Sequence, residues 1–184
     1  MKTLLAIFLI TIVHADDTPK QWPSEPFQHV VAYCYDFTQD QRGSSITFPD
    51  GSLHKGVIRA TTLRLNDAQT VKLRALLSTD SESEHGDVDC YDPHHAFVFY
   101  DRDWKVVASI DICFLCDDYV ARPKGVSNLI DLVALEALCR EFGLPILEDS
   151  SNYTALYRQE QPKKEAVAPK ENTRHQDDSD PFAE

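Results

Sequence analysis

Residues 96–113 read AFVFYDRDWKVVASIDIC, two runs of β-branched and aromatic residues on either side of the polar tetrapeptide Asp101–Trp104. Runs of this composition are typical of β-strands, and a short polar segment between two of them is typical of a tight turn. The segment therefore predicts a β-hairpin with Ala96–Tyr100 as its first strand and Lys105–Cys113 as its second.

The register of this hairpin follows from the length of its loop. A two-residue loop at Arg102 and Asp103 pairs residues in the order Phe99–Val106, Phe97–Ala108 and His95–Ile110. Because side chains alternate between the two faces of a strand, these residues share one face. That face is almost entirely apolar, so we expect it to point into the core.

The segments around the hairpin add further strands and two helices. Strands are predicted at His29–Phe37, Ser45–Phe48 and Val57–Leu65. One helix is predicted from a capping box at Asn66 to about Leu77, and a second from a cap at Ser127 to Phe142. These elements follow no regular β-α-β order. They predict an α+β domain, with a mostly antiparallel sheet of four or more strands and two packed helices.

Both ends of the chain are expected to lie outside this domain. Residues 1–15 combine a positive start, a short apolar run and small residues at the end, as in a secretory signal peptide. Residues 16–26 are a proline-containing, extended lead-in, and residues 159–184 are a charged tail predicted to be disordered. The remaining residues, 27–158, are predicted to form a single domain. We expect an exported protein, periplasmic or secreted, with no membrane anchor after cleavage.

Charge narrows the range of partners. The chain has 30 acidic and 18 basic residues, a formal net charge of −12. Nucleic acids and anionic membranes are bound by basic surfaces, so the sequence argues against both as partners. A basic protein is the partner that such a chain would favour.

Export changes how the five cysteines are interpreted, because disulfides form outside the cytosol. An odd number cannot pair completely within one chain. Cys34 lies on a predicted strand and Cys139 on the apolar face of a predicted helix, where each is either a small buried side chain or the partner of the other. The predicted hairpin gathers the remaining three at its open end: Cys90, Cys113 and Cys116.

A metal site is the preferred interpretation of this end of the hairpin. Cys90, Cys113 and Cys116 would supply thiolates, and His94 would complete a tetrahedral shell of the kind zinc takes. His95 would substitute for His94 if the register slipped by one residue. Copper(I) also suits these ligands. Four protein ligands leave no open position, so we expect a structural metal rather than a catalytic one.

Two other interpretations remain open. In the first, a disulfide joins Cys90 to Cys113 or Cys116 in a non-enzymatic binding or accessory protein without metal, whose acidic surface recognises a basic partner. In the second, these cysteines form a thiol–disulfide oxidoreductase. Carboxylates surround them and disfavour a reactive thiolate. Familiar hydrolase and nucleotide-binding motifs are absent from the sequence, so an enzyme is not indicated.

The block CYDPHHAFVFYD at residues 90–101, followed by ICFLC at 112–116, resembles a small group of exported bacterial proteins. That group shares a Cys-x-x-Pro-His-type hairpin and a later Cys-x-x-Cys. The resemblance implies that these positions act as a unit. It implies no activity.

Overall fold

The computed structural model of the chain describes residues 21–81, 90–127 and 129–161. The predicted signal peptide, residues 1–15, lies outside the described residues, and so does nearly all of the predicted tail. Within the described residues, no helix is long and apolar enough to cross a membrane.

A five-stranded antiparallel sheet forms the centre of the fold, with the strand order β2-β1-β3-β4-β5. The strands are β1 (His29–Cys34), β2 (Leu63–Arg64), β3 (His95–Tyr100), β4 (Val106–Cys113) and β5 (Asp118–Arg122). The helices are α1 (Asp67–Leu77), α2 (Leu132–Glu141) and α3 (Ser150–Glu160). The predicted α+β class with an antiparallel sheet is confirmed. The described residues contain three helices instead of the predicted two.

Apolar side chains cover the sheet on both faces. The larger cluster joins one face to the helices and includes Phe97, Phe99 and Ile110 from the hairpin with Leu135 from α2. The smaller cluster lies on the other face, around Val98. All six residues of β3 are therefore buried. The side of the hairpin that carries Phe97 and Phe99 faces the main core, as predicted.

The predicted register of the hairpin is wrong by two residues. Phe99 pairs with Ala108 and Phe97 with Ile110, after a bulge next to Tyr100. The loop is longer than expected because Trp104 takes a left-handed conformation, with φ of 61°. A turn that ends in a left-handed residue and a bulge is a common alternative to a two-residue loop. Since the shift is an even number of residues, each side chain keeps its predicted face.

The carboxylate of Asp101 stabilises this longer loop. It accepts hydrogen bonds from the backbone N–H groups of Asp103 and Lys105, both at 2.9 Å. The N–H of Asp101 also donates to the carbonyl of Lys105 at 3.0 Å. The closing pair of the hairpin is therefore Asp101 with Lys105, one residue later than the sequence suggests.

Two predicted strands are largely absent. Val57–Leu65 instead forms a 3₁₀ turn at Arg59–Thr61 before the two-residue strand β2. The hydroxyl groups of Thr61 and Thr62 both donate to the carbonyl of Ile58, which offers the backbone an alternative to strand pairing. The predicted strand Ser45–Phe48 contributes only an isolated bridge between Thr47 and Leu53. The predicted strand at His29–Phe37 is present as β1 and ends at Cys34.

Local capping explains where the helices begin. The predicted capping box of α1 is confirmed, since Asn66 and Gln69 exchange side-chain to backbone hydrogen bonds at 2.9 Å. Helix α2 starts later than predicted, with Asp131 as its N-cap in place of Ser127. Asp149 caps α3.

Helix α3 anchors the end of the folded region. Its last residue, Glu160, accepts hydrogen bonds from the backbone N–H groups of Arg59 and Ala60 at 2.8 and 2.6 Å. The ordered structure therefore continues past residue 158, where the sequence places the end of the domain. At the other end, Trp22 is buried against Phe99.

Candidate functional site

The turn between β4 and β5 builds one end of the sheet. Cys113 ends β4 and pairs with Asp118, so residues 114–117 form the turn that places Cys116 beside it. Asp117 takes a left-handed conformation, with φ of 52°, which allows this tight reversal. The segment that precedes β3 runs along the same end, where the N–H of His94 donates to the carbonyl of Ile112 at 3.2 Å.

Cys90 and Cys116 are paired as a disulfide at this end of the sheet. Their Cα atoms are 5.9 Å apart, within the usual range for a disulfide. This is one of the two pairings that the sequence leaves open for Cys90. Cys34, Cys113 and Cys139 are free and buried.

The sulfur of Cys113 lies among backbone amides. The N–H of Cys116 donates to its Sγ at 3.1 Å, and the backbone amides of Asp92 and Leu115 also lower its pKa. Burial raises the pKa of this thiol, and these three amides oppose the rise without cancelling it. Cys113 is therefore a neutral thiol at pH 7.

His94 is held by two protein oxygens. Its Nδ1 donates to the carbonyl of Tyr35 at 2.9 Å, which leaves Nε2 to accept from the hydroxyl of Ser150 at 2.8 Å. The ring also stacks on Tyr153, with centroids 4.0 Å apart. Burial lowers the pKa of His94, so the ring is neutral. Neither nitrogen is available to a metal without the loss of one of these bonds.

His95 is the first residue of β3, and its ring contacts Tyr153 edge to face, whereas His94 stacks on the same ring. Its Nε2 donates to the carbonyl of Pro145 at 2.9 Å. Burial lowers the pKa of His95 to about 4. Since a carbonyl only accepts, Nε2 carries the proton and Nδ1 is an acceptor.

The structure places Cys116 beside both Cys90 and Cys113, while both histidine rings are hydrogen-bonded to protein oxygens. Within the described parts of the chain, no three His, Cys, Asp or Glu side chains are grouped so that they could hold a metal ion. Two of the three sulfurs, those of Cys90 and Cys116, are bonded to each other. The zinc site built on these residues and His94 or His95 stays a prediction.

Cys34 and Cys139 lie in the main core. Both are fully buried, and each is a free thiol. Burial raises the pKa of Cys34 to about 12 and that of Cys139 further. This placement matches the interpretation of both as small buried side chains.

A cleft of about 180 Å³ opens beside the disulfide turn, and we call it the His95 cleft. His94, His95 and Tyr153 line it together with Phe114 and Leu115, the two residues between the last two cysteines. Residues 146–148, which connect α2 to α3, complete the wall. The sequence carries no signal that this connection packs against the turn, so the cleft is visible only in the fold.

The charged residues of the His95 cleft are mostly acidic. Asp92, Glu136 and Glu148 contribute three carboxylates, and Arg140 contributes one guanidinium. Arg140 donates to the carboxylate of Glu136 at 2.8 Å, which neutralises that pair. The charges of Asp92 and Glu148 are not balanced by this pair, so the electrostatic potential in the cleft is negative.

No family model, curated protein or solved structure significantly matches this chain.

Proposed function

We propose that this chain is an exported, disulfide-stapled binding protein with no catalytic role, and that it recognises a basic partner. The Cys90–Cys116 pair is the observation that carries the proposal. It ties the segment that leads into β3 to the turn between β4 and β5, two parts of the chain that frame the His95 cleft. A disulfide of this kind belongs in an oxidising compartment, which supports export.

The position of the disulfide supports a binding role. Phe114 and Leu115 form part of the cleft and come directly before Cys116. The cross-link therefore restrains that wall of the cleft before any ligand arrives. Binding sites that are fixed in advance lose less conformational entropy when a ligand binds.

The electrostatics support a non-enzymatic role over thiol chemistry. Thiol–disulfide exchange needs a thiolate, and its rate depends on a lowered pKa. Burial instead raises the pKa of Cys34, Cys113 and Cys139 above the ordinary range. Each of these groups is a poor nucleophile at neutral pH.

Intact-mass measurement, thiol counting in denaturant and elemental analysis of the purified mature protein test this proposal together. We expect one disulfide, three free thiols and no stoichiometric metal. Five free thiols with one equivalent of zinc would overturn it. Rapid turnover of a dithiol substrate that is lost in Cys113→Ser would favour the oxidoreductase instead.

The amides around Cys113 favour a second candidate, a structural zinc site in the reduced protein. The N–H of Cys116 donates to this sulfur, and the neighbouring backbone amides partly offset the effect of burial on its pKa. After reduction, Cys90 and Cys116 would add two more thiolates. His94 or His95 would complete the shell only by giving up a hydrogen bond or turning its ring.

A zinc titration of the reduced protein under argon tests this second candidate. We expect Cys113→Ser to weaken zinc binding more than tenfold if the site exists. Cys139→Ser is the matched control, since it removes a buried thiol far along the chain from the turn. Equal zinc affinity in both variants would contradict a metal site at the turn.

A further inference from the structure

We propose that the Cys90–Cys116 disulfide is exchangeable: Cys113 displaces Cys90 from Cys116 and releases Cys90 as an exposed thiol open to modification. The proposal rests on the disulfide of the proposed function and adds a way to regulate the same site. Three features of the turn lead to it: the contact of a free thiol with one half of the disulfide, the short spacing between two of the cysteines, and the different exposure of the three.

The free thiol of Cys113 lies against Cys116. Its Sγ accepts a hydrogen bond from the backbone N–H of Cys116 at 3.1 Å. The amide nitrogen and the sulfur of one cysteine are only three bonds apart, so rotation of the two side chains can bring their sulfurs together. The other free thiols of the described residues, Cys34 and Cys139, lie in the main core. Cys113 is therefore the thiol that is placed to attack this disulfide.

The spacing between Cys113 and Cys116 suits a second disulfide. Residues 114–117 form the turn between β4 and β5. The Cα atoms of the first and fourth residues of a tight turn lie within about 7 Å of each other. A disulfide spans about 4.4–6.8 Å between Cα atoms. The turn can therefore hold a Cys113–Cys116 bond with little movement of the strands.

Cys90 is the exposed member of the three cysteines. Cys113 and Cys116 are each only 1% exposed. While Cys90 is bonded to Cys116, the free thiol of the turn is the buried Cys113. After exchange the free thiol is Cys90, which a reagent or a partner in solution can reach. The exchange therefore converts a protected thiol into an accessible one.

The exchange conserves the number of disulfides and of thiols. The Cys113 thiol gives its proton to solvent, and its sulfur attacks Sγ of Cys116. The Cys113–Cys116 bond forms as the Cys90–Cys116 bond breaks, and the sulfur of Cys90 leaves as a thiolate that takes up a proton. No oxidant or reductant is consumed. Cys113 is a poor nucleophile toward groups in solution, but proximity raises the rate of reaction between groups that are held together.

The exchange changes what holds the His95 cleft. The Cys90–Cys116 bond ties the segment before β3 to the turn, whereas a Cys113–Cys116 bond lies within the turn alone. That segment then keeps only noncovalent contacts, such as the hydrogen bond from the hydroxyl of Tyr91 to the carbonyl of Asp111 at 3.3 Å. The exchange therefore loosens one side of the proposed binding site.

Alkylation of the native, oxidised mature protein tests the exchange. Uncatalysed disulfide rearrangement takes minutes to hours, so the protein is kept in iodoacetamide for several hours. The remaining thiols are then labelled in denaturant with a heavy form of the reagent, and digestion without reduction shows which cysteines are bonded. We expect Cys90 to react at least about tenfold faster than Cys34 and Cys139, because these two are buried. Molecules alkylated at Cys90 should contain a Cys113–Cys116 disulfide.

Three results would overturn the proposal. No alkylation of Cys90 over this time would show that the disulfide does not exchange. Alkylation of Cys113 while the Cys90–Cys116 bond stays intact would show that the turn opens without exchange. Alkylation of Cys90 and Cys116 in the same molecule would show that the disulfide is reduced rather than exchanged.

A matched pair of variants identifies the attacking thiol. Cys113→Ser should slow the alkylation of Cys90 at least about tenfold, since no neighbouring thiol is left to displace it. Cys139→Ser removes a buried thiol from the main core and should leave this rate unchanged. Equal rates of Cys90 alkylation in the two variants would contradict the role of Cys113.

The same peptide map separates this proposal from the proposed function. A Cys90–Cys116 disulfide that survives the incubation, with no alkylation of Cys90, refutes the exchange and leaves the stapled fold in place. Absence of the Cys90–Cys116 disulfide from the starting protein removes the observation on which the proposed function depends, and the exchange with it.

Discussion

Replacement of Cys90 by serine should lower the free energy of unfolding. The size of the decrease depends on the number of residues in the loop that the disulfide closes. The disulfide joins residues that are 26 positions apart. A loop of this length gives about 3.5 kcal/mol at room temperature from the reduced entropy of the unfolded chain. Because Cys90 is exposed, its change to serine creates no cavity, and the lost cross-link should account for most of the effect.

Urea unfolding, followed by the fluorescence of the buried Trp22, measures this quantity. For a slope of about 2 kcal/mol per molar urea, the midpoint of Cys90→Ser should fall by about 2 M relative to the oxidised wild type. Reduced wild type is the matched control and should unfold at the same urea concentration as the variant. A difference below about 1 kcal/mol between the oxidised wild type and Cys90→Ser would show that this cross-link does not stabilise the fold.

Three further predictions concern stability. The pKa of His95 is about 4 in the folded protein and about 6.5 when unfolded, so protons bind preferentially to the unfolded chain between these values. The free energy of unfolding should therefore fall by about 3 kcal/mol as the pH falls from about 6.5 to 4. In urea melts over this pH range, the free energy of unfolding of His95→Gln should change less than that of the wild type. Glu160→Ala should cost about 1–2 kcal/mol through its two lost backbone hydrogen bonds, with Gln159→Ala as the neighbouring control; equal melting temperatures would contradict this. Asn66→Ala should cost about 1 kcal/mol by uncapping α1, and Asn66→Asp should restore most of it in thermal melts.

The sequence determines the hairpin and its faces, since composition and alternation are local properties. Its register depends on the left-handed conformation of Trp104 and on the carboxylate of Asp101, neither of which periodicity reveals. An aromatic residue seldom takes positive φ, so a two-residue loop was the simpler expectation.

Helix α1 and helix α3 differ in how clearly the sequence encodes them. The capping box at Asn66 and an apolar stripe identify α1. In α3 only Tyr153 is fully buried, and the half-buried Leu156 and Tyr157 complete an apolar stripe of one helical turn, too short to identify the helix from the sequence. Contacts with distant parts of the chain stabilise α3, including the hydrogen bonds that Glu160 accepts from the backbone N–H groups of Arg59 and Ala60. Strand β5 was missed for a similar reason, because its burial pattern does not alternate.

At the candidate site, the positions of the cysteines could be predicted from the sequence better than the orientations of the histidine rings. Cys90 and Cys116 meet because the hairpin and a short turn bring them together. The direction of each histidine ring is set by Pro145 and Ser150, which lie about fifty residues further along the chain. Short-range patterns carry no information about such partners, so the environment of each imidazole emerges only from the fold.

Peptide mapping by mass spectrometry decides whether Cys90 and Cys116 are cross-linked in the mature protein. Free thiols are alkylated in denaturant, and the protein is then digested under non-reducing conditions. We expect a cross-linked peptide pair that contains Cys90 and Cys116, with Cys34, Cys113 and Cys139 alkylated. Alkylation of Cys90 and Cys116 themselves, or a cross-link from Cys90 to Cys113, would contradict it.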